Sequence, residues 1–220
     1  TLSSVAGIAS LLDASNAINY TAAQILTTAG RITVDNFEPI EFDNKTNLVI
    51  DAGAGDDTIN LNNPNTPSGL TGTITVNGGD PTASDSLIVN GIVGSDDRFI
   101  VIPTATGAGE VMIYNSAGNV GIPPVNFTGV EHMSIVGQAA DADGLADTGT
   151  TGDDSFTLSP GATAASGVLT GFAPGFAFVP IAYAGISEYV APSTSLLDKN
   201  GLTLVVGGLG GADTLVLDGT

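Results

Sequence analysis

The residues able to do chemistry in this chain are almost all aspartates, and they fall in turns. Of 220 residues, 18 are Asp and 5 are Glu, against four basic residues, Arg31, Lys45, Arg98 and Lys199. Three adjacent pairs, Asp56–Asp57, Asp96–Asp97 and Asp153–Asp154, each follow a glycine closely, and Asp213 follows Gly210-Gly211-Ala212. Two neighbouring carboxylates on open backbone repel each other, and a cation relieves that repulsion. A set of oxygen ligands suits a hard ion, Ca2+. Asp56, Asp57, Asp96, Asp97, Asp153, Asp154 and Asp213 are therefore the candidate calcium ligands. Each also has a plainer use, because a short carboxylate caps the backbone amides of its own turn.

Other acids extend the pattern. Gly78-Gly79-Asp80 with Asp85 and the run Asp141, Asp143, Gly144, Asp147 repeat it more loosely. The last of these has acids at alternate positions before a bend, but lacks the terminal Glu of an EF-hand. The preference for Asp over Glu itself places the charge in turns, since Glu is the better helix former.

Other chemistry has little to work with. His132 is the only histidine and there is no cysteine, so a nucleophile has at most one imidazole to activate it. With 23 acids some carboxylate pair always exists, and a glycosidase reading gains nothing from one. A polysaccharide lyase on a β-helix would need cationic groups for its acidic sugar, and Arg98 beside Asp96 and Asp97 is the one nucleus for that. The chain is accordingly expected not to be an enzyme. A net charge of −19 rules against nucleic acid and anionic membranes, both of which bind basic patches. No apolar run reaches transmembrane length. The start of the chain has no basic n-region, so a processed product or a piece of a longer protein is expected.

The elements that hold these turns are β. Asp57, Asp85, Asp97, Asp154 and Asp213 each lead straight into a short apolar run: Thr58–Leu61, Ser86–Val89, Arg98–Val101, Ser155–Leu158 and Thr214–Leu217. With only 8 Phe and 4 Tyr, the core must be Val, Ile, Leu and Ala. The expected fold is all-β and repeat-built, a parallel β-solenoid resembling a β-helix, because runs such as Leu202–Val206 are apolar on both faces. Antiparallel β-sandwich repeats are the alternative. They are suggested by three copies of a Pro, aliphatic, any, aromatic strand: Pro39–Phe42, Pro124–Phe127 and Pro180–Tyr183. The spacing of these motifs predicts units of about 31–96, 97–153 and 154–220 within a domain 31–220. Residues 1–30 stand apart as an N-terminal cap or arm. Apolar residues at 5, 8, 9 and 12 and at 22, 25, 26 and 29 have helical spacing, and an extended arm is the other reading.

The turn Gly53-Ala54-Gly55-Asp56-Asp57-Thr58-Ile59 fills most of a Gly-Gly-x-Gly-x-Asp-x-aliphatic nonapeptide. It resembles the calcium-binding turns of RTX-type repeats, although here the copies are not consecutive. Together with the recurring strand motif, residues 36–220 are similar to the repeat regions of large bacterial secreted and surface-layer proteins. That resemblance implies an extracellular, calcium-stabilised structural protein at the cell surface, a subunit of an S-layer or filament that partners with itself. An adhesive module for a cell-surface glycan is the second expectation.

Overall fold

The computed structural model describes residues 5–9, 15–22, 29–61, 70–79, 84–115, 120–138, 140–163, 165–186, 204–207 and 214–217. All regular elements among them are strands, so the all-β expectation holds. No helix among the described residues is long and apolar enough to cross a membrane. Successive side chains of a strand point to opposite faces, and the sequence alternates to match. In Asn47–Gly53 the buried positions are Leu48, Ile50 and Ala52, and in Ser86–Asn90 they are Leu87 and Val89.

The chain shuttles between two sheets. Strand β1 (Val5–Ala9) lies in sheet A; β2 (Ala17–Ala22), β3 (Gly30–Val34) and β4 (Ile40–Phe42) lie in sheet B. Then β5 (Asn47–Gly53) returns to A, β6 (Thr58–Leu61) to B, β7 (Ile74–Gly79) to A and β8 (Ser86–Asn90) to B. Sheet A next takes β9 (Arg98–Ala105), β10 (Ala108–Tyr114) and β11 (Val120–Thr128). After β12 (His132–Val136) in B and β13 (Gly144–Thr148) in A, sheet B takes β14 (Ser155–Pro160), β15 (Ser166–Ala173), β16 (Phe176–Ala177) and β17 (Ile181–Ala184). Finally β18 (Leu204–Gly207) joins A and β19 (Thr214–Leu217) joins B.

In space, sheet A reads β1-β5-β7-β11-β10-β9-β13-β18. Sheet B reads β4-β3-β2-β6-β8-β12-β17-β15-β14-β19, with β16 beside β15. Pairing is parallel except at hairpins. There β10 runs against β9 and β11, β15 against β14, β16 and β17, and β3 against β2 and β4. The sheets are mixed, which corrects both the purely parallel and the purely antiparallel expectation. The reversals come from tight turns such as Thr106-Gly107, where Gly107 has φ 67°, and Pro174-Gly175, where Gly175 has φ 108°. Pro39–Phe42 ends in β4, Pro124–Phe127 lies in β11 and Pro180–Tyr183 leads into β17, so the three copies do not share one sheet.

The helical spacing near the N-terminus does not produce a helix where the residues are described. Val5–Ala9 pair parallel with β5, Val5 opposite Asn47, and Thr21 and Ala22 finish β2. Residues 10–14 and 23–28 lie outside the described set. Helix propensity is worth only tenths of a kcal/mol per residue. A sheet edge offers a complete row of backbone partners and outweighs it.

One apolar core lies between the sheets. Sheet B contributes Ile18, Tyr20, Ile32, Ile59 and Leu87, and sheet A contributes Leu48, Ile50, Ile74, Phe99 and Val111. Phe156, Ala173 and Phe178 form a second, small cluster. Away from the core, polar side chains pair across strands. Asn90 Nδ2 donates to Asn60 Oδ1 at 2.8 Å, Thr128 Oγ1 to Asn77 Oδ1 at 2.9 Å, and Asn77 Nδ2 to Asp51 Oδ1.

Candidate functional site

The acids gather where the chain turns from one sheet into the other. In sheet B, the residue just before each of four neighbouring parallel strands is polar: Asn16 before β2, Asp57 before β6, Asp85 before β8 and Glu131 before β12. The registers Ala17↔Thr58, Thr58↔Ser86 and Ser86↔His132 set these four side by side. Each of the first three donates its backbone N–H to the carboxylate of the next. Asn16 N–H reaches Asp57 Oδ1 at 2.6 Å, Asp57 N–H reaches Asp85 Oδ1 at 2.8 Å, and Asp85 N–H reaches Glu131 Oε2 at 2.9 Å. The carbonyls run the other way. Thr58 N–H donates to Asn16 O, Ser86 N–H to Asp57 O and His132 N–H to Asp85 O. The side chains thus extend the backbone ladder by one rung past the strand ends, where a buried N–H would otherwise lack an acceptor.

Sheet A repeats the device. Arg98 lies opposite Gly144, and Asp97 N–H donates to Asp143 Oδ1 at 2.7 Å while Gly144 N–H donates to Asp97 O. The residue before each buried acid also matches. Ser84 N–H donates to Asp56 Oδ1 at 2.9 Å, and Ala142 N–H donates to Asp96 Oδ1 at 3.0 Å. A local cap completes each corner. Asp97 Oδ2 accepts from Ile92 N–H, Asp143 Oδ2 from Gln138 N–H, and Asp154 Oδ2 from Thr150 N–H at 2.6 Å. At Gly53 and Gly79, opposite each other in register, φ is 100° and 128°. A Cβ on Gly79 would stand 1.7 Å from the Gly53 carbonyl oxygen, so this corner admits only glycine.

The expected ligand pairs are divided by this geometry. Asp57, Asp97 and Asp154 are buried, whereas Asp56, Asp96 and Asp153 are exposed; Asp213 lies outside the described residues. Every donor is an oxygen, which suits Ca2+. Among the described residues, however, no three acidic or His side chains converge to hold an ion. Asp57 Oδ2, Asp85 Oδ2 and Asp97 Oδ1 are buried without a hydrogen-bond partner, one oxygen at each position. Among the described residues these carboxylates act as backbone caps.

Burial dominates the titration of these groups. It pushes Asp57, Asp85 and Asp97 above the ordinary carboxylate range, against the pull of their backbone N–H donors. Asp143 is pushed up to about 6 in the same way. Asp147 goes further, to about 8, by burial first and then by the charge of Asp154.

Four members of the ladders are not among the candidate ligands: Asn16, Asp85, Glu131 and Asp143. The signal that finds them is position, a polar residue immediately ahead of a parallel strand. His132 is exposed, with Nε2 3.0 Å from Ser84 Oγ. Arg98 opens β9 opposite Tyr114 and Gly144. No family model matches the chain, and comparison with curated proteins and with solved structures gives no significant match.

Proposed function

We propose that this chain is an extracellular structural protein, a subunit of a surface layer or filament, and not an enzyme. Its finer architecture in this reading is a two-sheet coil of stacked strands, solenoid-like, with hairpins inserted. The observation that supports it most is the row Asn16, Asp57, Asp85 and Glu131. Its carboxylates are spent on joining one strand to the next, which is work a stacked scaffold needs and a turnover site does not. Calcium belongs to this reading as a counterion at the exposed carboxylates Asp56, Asp96 and Asp153, relieving the self-repulsion of an acidic surface. Each such site is shallow, and its binding is correspondingly weak. The surface partner is another copy of the chain.

The test is electron microscopy and thermal unfolding of the full chain with calcium and with chelator. Ordered assemblies and a higher unfolding temperature in calcium are expected. A protein that stays monomeric and equally heat-stable in both conditions removes the reading. Specific binding on a glycan array would replace it with the adhesive one.

A further inference from the structure

The two sheets carry their charge differently. Sheet B has eight neighbouring strands, β2, β6, β8, β12, β17, β15, β14 and β19, and no Asp, Glu, Lys or Arg occurs in any of them. His132 is the one imidazole among them. Their outward positions are small and polar for the most part. On β8, Ser86 and Asn90 flank Ile88, and on β12 Ser134 lies between His132 and Val136. The outward face of sheet A is marked instead by Asp51 on β5, Arg98 on β9 and Glu110 on β10. In a chain with a net charge of −19, a run of eight strands free of carboxylates sets this face apart.

The same face holds exposed apolar surface. On β15, Val168, Thr170 and Phe172 alternate with the buried Leu169 and Ala173 and so point outward. Val168 stands opposite Ala182 of β17 and Ser159 of β14, and Thr157 of β14 lies between Thr170 and Val216. Phe172 is 53% exposed, Val216 45% and Val168 40%. They are three of the six large apolar side chains exposed among the described residues, and they gather at one end of one sheet. Exposed apolar surface rimmed by polar groups marks a contact.

We propose that this face packs on the same face of a second copy of the chain, sheet B on sheet B, about a two-fold axis lying between them. Charge selects the occupant. Two chains of this net charge repel each other. An approach through the corners brings exposed carboxylates such as Asp56 and Asp96 together, and an approach through sheet A brings Asp51 and Glu110 together. Through the outward face of sheet B two copies close without burying a carboxylate, whose desolvation would oppose the contact. Small side chains suit it, because stacked sheets lie about 10 Å apart with their side chains interleaved. The size suits it as well. Eight strands about 4.8 Å apart, each about five residues long, present roughly 600 Å² per copy before side-chain relief is counted, against about 800 Å² per partner in a standard interface. A glycan site is a concavity, whereas this is the open face of a sheet. The contact uses the same surface twice and is closed.

This rests on the structural-subunit reading and names one contact of it, and the two fall separately. Sedimentation of the full chain from sub-micromolar to high-micromolar concentration is expected to show a monomer–dimer equilibrium. The dimer is expected to persist in chelator and to tighten with sodium chloride, which screens the carboxylates around the contact. Val168→Asp is expected to weaken it by about a hundredfold with an unchanged circular dichroism spectrum, because it places a charge in the closed contact. Val93→Asp adds the same charge at a position 61% exposed between β8 and β9, and is expected to leave the dimer intact. The chain has no cysteine, so a single introduced thiol reports on its own surroundings. The thiol of Ala182→Cys is expected to be labelled more slowly as the dimer forms, and that of Thr75→Cys, on the outward face of sheet A, at an unchanged rate. A monomer throughout overturns the proposal. So does a dimer indifferent to Val168→Asp, protection at position 75 in place of 182, or a monomer whose binding on a glycan array is lost in Val168→Asp. Calcium-dependent assemblies that survive Val168→Asp remove this interface and leave the filament reading; a dimer that never grows in calcium does the reverse.

Discussion

Asp85 and Asp147 both have almost no exposed surface, yet they stand in opposite settings, Asp147 the deeper of the two. Asp85 sits at a corner, ahead of β8, where it takes the N–H of Asp57 on Oδ1 and gives its own N–H to Glu131. Asp147 lies inside β13, between Val101 on one side and Val206 on the other. There the backbone N–H groups are already spent on the sheet, and the carboxyl has only the N–H of Thr148 to draw on, facing the charge of Asp154. Asp147 Oδ1 is buried without a partner. A corner supplies open amides, so a buried carboxylate acts as a cap there, and their donation works against the rise that burial causes. Inside the strand, burial first and the charge of Asp154 second lift Asp147 to about 8 with one N–H opposing them, so it is largely protonated at neutral pH. Location relative to the strand end decides which role an aspartate takes.

The sharpest way to break that distinction is to remove a corner acceptor. Asp85→Ala leaves the buried N–H of Asp57 with nothing to bond, and is expected to cost about 2–3 kcal/mol of stability. Asp85→Asn keeps an oxygen in the same place and is expected to cost about 1 kcal/mol. Urea unfolding midpoints measure both. If the two variants unfold at the same urea concentration, the acceptor is not what this residue provides.

Asp147 is expected to respond to pH where Asp85 responds to truncation. Its folded pKa, about 8, lies above the unfolded value of 3.8, so the folded state binds the proton more tightly. The stability it lends is complete below the unfolded value and is lost as pH rises through 8. The unfolding temperature is expected to fall by roughly 3–6 °C between pH 6 and pH 9. Asp143, raised to about 6, acts mainly below that window. Asp147→Asn is expected to remove most of the slope. A slope identical in the variant would assign it to other groups.

Much of this was legible in the residues, and the reasons for the remainder are specific. Gly followed by Asp and a short apolar run marks Asp57, Asp85, Asp97 and Asp154, and each does head a strand. Those positions can be read because Asp, Gly and alternating aliphatics act locally. Glu131 escapes notice because nothing nearby resembles a Gly-Asp turn; its role depends on β12 lying beside β8. Asn16 is hidden between two Ala-rich segments whose spacing suits a helix, and its role depends on β2 lying beside β6. The mixed direction of the sheets is equally non-local. Thr106-Gly107 announces a turn, but whether a turn returns the chain to the same sheet or carries it to the other depends on which edge is free. The splitting of each Asp pair was not visible either, since adjacent carboxylates look alike until one is seen to face the core.

The smallest effect concerns the outward member of each pair. Asp56 and Asp96 are exposed and occupy equivalent places, accepting from Ser84 N–H and Ala142 N–H. Alanine at either is expected to cost about 0.5–1 kcal/mol, the worth of one solvent-exposed hydrogen bond. The two losses are expected to add, because the sites lie in different sheets and share no hydrogen-bond partner. Calcium separates the two uses of these residues. If a cation shields their charge, the double variant Asp56→Ala/Asp96→Ala is expected to gain less stability from calcium than the parent does, since a ligand stabilises only the state that binds it. Equal gains in the two proteins would reduce Asp56 and Asp96 to backbone caps. They would then differ from Asp57 and Asp97 only in facing water.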